Sequence, residues 1–314
     1  MGRALDARSA GPSLTSALHT EPAPSLGGRS GGWGQRLGWP LLFLLPAAVV
    51  IGFFFFTMSI MARISFAPNL GPAQIGEGTT LDNYVQFFGS TFYLGYLVRS
   101  LWIAAYCTAI TAVLGYTIAY FIHRSGHTTR VIVGTLLIIQ FFTAYVIRTY
   151  AVMLVIGKTG ILNRSLIGIG LIDQPLSLLF TEAGVAIGMV LVSLPFMVFP
   201  ILASLQAMPP NVEMAAASLG ASNTRIFWTV TIPLTMPGIA AGVVVVYLFE
   251  LTSYIVPGIL GGGYVDMIAN LIYAKAMQSF DHPFAAAAAV VTLLISGTTI
   301  YLLQKFFRLA TPRT

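Results

Sequence analysis

The sequence holds 314 residues, of which 56% are apolar and only 8% charged, with a formal net charge of +6. Soluble domains carry roughly 25% charged residues, so the composition excludes an ordinary soluble globule and points to a membrane protein. The sixteen basic residues are scattered singly and form no stripe suited to nucleic acid, and the length leaves no room for a transporter and a full ATPase domain together.

Residues 1–38 are rich in Gly, Ser, Ala and Pro without apolar periodicity, which predicts a disordered tail. The tail is too polar for a secretory signal, and the apolar run after it is too long for a cleaved one. Six segments long enough for a crossing of about 20 residues follow, near 39–61, 95–122, 131–156, 182–205, 237–260 and 285–306. The expected fold class is therefore an all-α polytopic membrane protein, with a transmembrane domain over 39–314. Phe53–Phe56 in the first span read as lipid-facing or packing residues, and Pro46 and Pro195 are tolerable inside spans whose neighbours satisfy the freed backbone groups. The single cysteine, Cys107, lies in the second span, excludes an internal disulfide and reads as a small packing residue.

Basic residues set the orientation. Arg3, Arg8, Arg29 and Arg36 in the tail fall on one side with Arg124, Arg130, Arg225, Lys305, Arg308 and Arg313, ten of the sixteen. Glu77, Asp82, Asp173, Asp266 and Asp281 lie on the other. Both termini are therefore expected in the cytoplasm, together with the connection between spans four and five, about 206–236.

That connection is unusually ordered for a loop. "MPPN" stops the fourth span, because proline lacks a donor and restricts its predecessor. Asn211 can cap a short helix whose first turn holds Glu213, a position that suits the helix dipole. "MAAAS" is small enough for a partner surface to approach closely, and Gly220 can end the helix. Ser222 can cap a second short helix in which Ile226, Phe227 and Val230 recur at helical spacing, and Pro233 and Pro237 are expected to break the chain before the fifth span.

The segment resembles the cytoplasmic EAA loop of ABC-importer permeases, which reads Glu-Ala-Ala, a glycine four residues after the second Ala, nine residues, then Ile-x-Leu-Pro. Here nine residues separate Gly220 from the "VTIP" that ends at Pro233. Upstream the sequence departs from the pattern: Met214 takes the place of its glutamate, Ala215 and Ala216 are its alanines, and Glu213 stands one residue early. "LDNYVQFF", "IRTYAVMLVIGKTGILN", "PFMVFPILASLQAMPP" and "VPGILGGGYVDMIANLIYAKAM" are similar to the spermidine/putrescine-type branch of these permeases.

The resemblance implies a bacterial-type inner-membrane subunit of an ATP-driven importer for polyamine-like or other small cationic solutes. It implies a second, different permease subunit, a cytoplasmic ATP-binding subunit dimer and an extracytoplasmic solute-binding protein as partners. ATP would act on the partner, so this chain would carry no cofactor and no catalytic residue. The short helix would dock in a groove of the ATPase, with Glu213, Met214, Ala215, Ala216, Leu219 and Gly220 as the coupling set.

Other motifs are weaker. "GKT" at Gly157–Thr159 lacks the upstream glycine of a phosphate loop, whose place is taken by Val152. His123 and His127 are four apart, but Gly126 weakens any helix between them and no acid accompanies them, so interfacial histidines are expected. Arg148, placed near the outer end of the third span, reads as snorkelling or bonding backbone carbonyls more than touching solute. The Gly261–Gly263 run needs only a tight outer turn.

Glu250 is different. It stands in the fifth span after about ten apolar residues, where a carboxylate costs several kcal/mol unless it is paired or meets water. Ser253 and Tyr254, three and four residues on, would share its helix face and offer an ammonium group a hydroxyl and an aromatic ring. Two readings stand: a carboxylate on the solute path, or a buried carboxyl that is protonated or bonded to Arg148 or a partner subunit. A self-sufficient secondary transporter using Glu250 as its ion or proton site is the alternative function; inverted repeats or several intramembrane charges would mark it, and the sequence shows neither. An intramembrane enzyme would need a nucleophile with a base at depth, and no Ser–His–Asp grouping provides one.

Overall fold

The computed structural model describes residues 33–209 and 211–310, so most of the expected disordered tail lies outside the described residues. Packing divides the chain into one unit ending at Phe55 and a second beginning at Phe56. The described part of the first is the N-terminal stretch of helix α1 (Trp33–Ser65), an apolar helix in which Phe54 and Phe55 meet edge to face.

The second unit contains the rest. A short hairpin, β1 (Asn69–Gly71) and β2 (Gln74–Ile75), pairs antiparallel with Asn69 opposite Ile75 and Gly71 opposite Gln74. Then come α2 (Asp82–Gly89), α3 (Thr91–Arg124), α4 (His127–Phe142), α5 (Tyr145–Ile156), α6 (Ile161–Gly168), α7 (Glu182–Ala207), α8 (Asn211–Ser218) and α9 (Asn223–Ile226). A π-helical turn over Phe227–Thr231 leads into α10 (Ile232–Leu251), and α11 (Ile255–Leu260), α12 (Ile268–Tyr273) and α13 (His282–Ala310) complete the chain. Six stretches are long and apolar enough to cross a membrane: Leu44–Ser65, Thr91–Arg124, Tyr145–Gly168, Glu182–Ala207, Asn223–Leu251 and His282–Arg308.

Helix α7 is the centre of the bundle and packs chiefly against α3 and α10. Lipid is as apolar as a leucine side chain, so helices in a membrane associate through close contact more than through the hydrophobic effect. The α7–α10 seam shows this. A Cβ placed on Gly238 would lie 2.5 Å from the Pro200 carbonyl oxygen, and one on Gly242 would lie 2.7 Å from the Met197 sulfur. This Gly-x-x-x-Gly spacing brings the two backbones together where larger residues would hold them apart.

Two crossings differ from the sequence expectation. The third does not run unbroken over 131–156: α4 and α5 are separated at Thr143 and Ala144, both extended. No proline or glycine marks the break, and its partners are tertiary. Pro195 has no N–H to offer Leu191, four residues back on α7, and Gln140 Nε2 from α4 donates to that carbonyl at 2.6 Å. Beyond the break, Arg148 donates to Val192 O at 3.1 Å.

The fifth crossing is also shifted from 237–260. Pro233 and Pro237 do not interrupt it: helical backbone continues from Asn223 through the π turn to Leu251. The wider turn, closed by Ile232 N–H donating to Phe227 O, directly precedes Pro233, so the proline falls where the regular four-residue bonding pattern is already interrupted. The helix then stops at Leu251, so 252–254 separates α10 from α11.

Candidate functional site

Two places gather the residues singled out above. The first is the connection between α7 and α10. Helix α8 is separated from α7, with Met208 extended, and ends in paired reverse bonds: Ala221 N–H donates to Ala216 O at 3.2 Å and Gly220 N–H to Ala217 O at 2.9 Å. This is the Schellman arrangement, which places its C′ residue in the left-handed region. Gly220 has φ +83°, and a Cβ there would meet nothing within 4 Å. Ser222 Oγ then accepts from Arg225 N–H at 3.4 Å, capping α9 as the sequence suggests.

The faces of α8 differ. Val212, Glu213 and Ala216 are half-buried against the bundle, whereas Met214, Ala215 and Leu219 face out. Met214 is 60% exposed and Leu219 89%. Glu213 Oε2 pairs with Arg124 at the end of α3 at 2.7 Å, and its Oε1 accepts from Thr231 Oγ1 at 2.7 Å. Neither partner is legible in the sequence, because Arg124 is 89 residues away and Thr231 is 18.

The second place lies halfway along α7. Apolar clusters lie on both sides of it: Ile103, Cys107, Met189 and Leu260 belong to one, and Ala119, Met197, Ile201 and Val246 to the other. Between them sits a polar layer centred on Glu250, which is 1% exposed and the only charged side chain so buried among the described residues. Its Oε2 accepts from Thr108 Oγ1 at 3.1 Å, and its Oε1 from Ser193 Oγ at 2.8 Å and Thr111 Oγ1 at 3.5 Å. One carboxyl thus joins α3, α7 and α10. The hydroxyls sit at Thr108 and Thr111, three apart on one face of α3, a pattern visible in the sequence but interpretable only once Glu250 is seen opposite.

Ser253 and Tyr254 do not share that face, because the helix has ended. Ser253 Oγ lies 2.9 Å from Tyr145 Oη, so the break in the fifth crossing meets the break in the third. Tyr254 is exposed, and its ring stands 4.7 Å from that of Tyr273. Arg148 lies beside α7 at Val192, next to the Ser193 level of the polar layer, not near an outer end. It rests over the Tyr145 ring at 6.0 Å and makes no ion pair with Glu250. His123 and His127 fall on separate helices, and the described residues contain no cluster of three metal-binding side chains.

Comparison with known proteins fits this geometry. A family model described as "Binding-protein-dependent transport system inner membrane component" matches residues 73–310. The spermidine/putrescine transport system permease protein PotB of Escherichia coli K12 is 33% identical over 274 residues, which is 87% of this chain and 95% of that protein. The protein of that name from Haemophilus influenzae is 30% identical over 77% of this chain and 84% of its own length. A chain of a bacterial alginate ABC transporter, crystallised with an alginate pentasaccharide-bound periplasmic protein, superposes with a TM-score of 0.71 at 18% identity. That match covers 88% of this chain and 96% of the other.

Proposed function

The chain belongs to the family of binding-protein-dependent transport system inner membrane components, the permeases of ABC importers, and from that premise we propose that it admits polyamine-like cations to the cytoplasm. The observation that carries the solute class is the 33% identity to PotB across nearly all of that protein. In this reading the chain pairs with a second permease subunit, an ATP-binding subunit dimer on the cytoplasmic side and an extracytoplasmic solute-binding protein. Both termini and α8 face the cytoplasm, as the basic residues at that end of the bundle favour.

Helix α8 is the docking element. It is short, is separated from α7 at the extended Met208 and turns Met214 and Leu219 outward. ATP binding closes the partner ATPases, the docked helix moves, and the crossings pass between inward-open and outward-open arrangements. Hydrolysis belongs to the partner.

For the solute route we assign the meeting of the two helix breaks. Irregular backbone at membrane depth is tolerable where protein covers it or where it lines a water-filled cavity, and transporter sites in other folds use such discontinuous helices. Tyr254 and Tyr273 offer ring faces that attract an ammonium group, and Ser253 holds the breaks together through Tyr145. Glu250 faces three hydroxyls in the packed interior and holds the helices together; of the two sequence readings, this geometry supports the buried carboxyl, with hydroxyl partners in place of Arg148.

Uptake of radiolabelled putrescine by cells expressing the full transporter tests the solute class. Excess spermidine is expected to suppress uptake, whereas excess 2-aminoethylphosphonate or glycine leaves it unchanged. Suppression by the phosphonate and not by spermidine would refute the polyamine assignment.

A further inference from the structure

A one-residue displacement turns a helical side chain by about 100°, since an α-helix has 3.6 residues per turn. Glu213 stands one position ahead of the coupling-loop glutamate, and its side chain accordingly faces its own bundle. The carboxylate bridges Arg124, the last residue of α3, and Thr231, the last residue of the π turn. We propose that Arg124, Glu213 and Thr231 form a strut that makes α8, the end of the second crossing and the start of the fifth one mechanical unit. On that account Glu213 is a positioning residue and does not touch the ATPase.

Each attachment is braced in turn. Arg124 Nε donates to Tyr120 Oη at 3.2 Å, and its guanidinium lies 5.3 Å from the Tyr120 ring centre. Tyr120 and Tyr116 both meet Phe227 of the π turn edge to face, at 5.2 and 5.8 Å. Thr231 is fully buried, and its carbonyl accepts from Thr235 Oγ1 at 2.9 Å. The extra residue of the π turn lies between the Phe227 contact and the Thr231 hydroxyl, so both of its ends are tied to the strut. Charge-assisted bonds of 2.7 Å on each carboxylate oxygen fix direction as well as distance.

The consequence concerns force. Without the strut, motion of α8 would reach the membrane through its chain neighbours, α7 across Met208 and the fifth crossing across Gly220, and through its packing on α9 and the π turn. With it, the same motion also moves α3, which is distant in sequence. The face left for the partner is apolar, carried by Met214 and Leu219.

The inference rests on the importer reading, and its test separates the two. In proteoliposomes holding the complete transporter, ATP hydrolysis is measured with and without spermidine-loaded binding protein. Arg124→Glu and Glu213→Arg each set like charges together and are expected to lower the ratio of stimulated to basal hydrolysis about fivefold, the scale of a part-exposed ion pair. The exchanged pair R124E/E213R is expected to recover at least half of the loss. Thr231→Val and Glu213→Gln remove single bonds without repulsion and serve if a charge-reversed chain fails to assemble; each is expected to lower the ratio about twofold. Single variants that stimulate like the parent, or an exchanged pair no better than either single, would overturn the strut alone. A parent transporter with no stimulation overturns the importer reading and the strut with it.

Discussion

Gly220→Val is expected to abolish most solute-stimulated ATP hydrolysis and uptake while the transporter still assembles. The residue has φ +83°, and an added side chain would meet nothing within 4 Å, so crowding plays no part. The cost is conformational. A left-handed backbone costs an ordinary L-residue roughly 1–2 kcal/mol, and a β-branched residue resists it further. That energy is enough to unwind the paired bonds from Gly220 and Ala221 that end α8, swinging the docking face while leaving the crossings intact. A loss of about tenfold in stimulated hydrolysis corresponds to about 1.4 kcal/mol. Gly220→Asn is the control, because asparagine enters the left-handed region readily, and it should keep most activity. Equal activity in the valine and asparagine variants would show that the turn does not transmit motion.

Glu250→Leu is expected to damage the fold itself. Leucine is close in size but accepts nothing, so the links to Thr108, Thr111 and Ser193 are lost together. Interhelical side-chain bonds in membranes contribute roughly 0.6–2 kcal/mol each, and three give a loss of about 2–6 kcal/mol. Thermal unfolding of the purified transporter should fall by about 10 °C on the scale of domains of similar size. Glu250→Gln keeps an acceptor and adds a donor that the hydroxyl oxygens can receive, so it should assemble and transport within about threefold of the parent. A glutamine variant that assembles normally yet no longer transports a cation would move Glu250 from the framework to the solute route.

The contrast between these sites shows what was legible in the sequence. Helix α8 was readable because its punctuation is local: Pro209 and Pro210 before it, Gly220 after it, Ser222 capping the next helix. Six crossings were readable from apolar length. The ends of the fifth were not, because Pro233 and Pro237 read as breakers and a π turn let the helix pass through them. The break in the third crossing carries no local mark at all. It is accompanied by Gln140 reaching Leu191, Arg148 reaching Val192 and Tyr145 reaching Ser253, contacts that exist only once the helices have packed. Glu250 announced itself as an acid at depth, but an isolated charge in a sequence does not say which neighbours will satisfy it.

The most direct test of the account is the energy source. Proteoliposomes containing this chain, its partner permease and the ATP-binding subunits are given spermidine-loaded binding protein on the side opposite α8, and labelled spermidine is followed across the membrane. Transport is expected only with ATP on the α8 side, and it should cease when the ATP-binding subunits are omitted, whatever ion gradient is imposed. Accumulation of spermidine by this chain alone, driven by a proton or sodium gradient without ATP, would contradict the account.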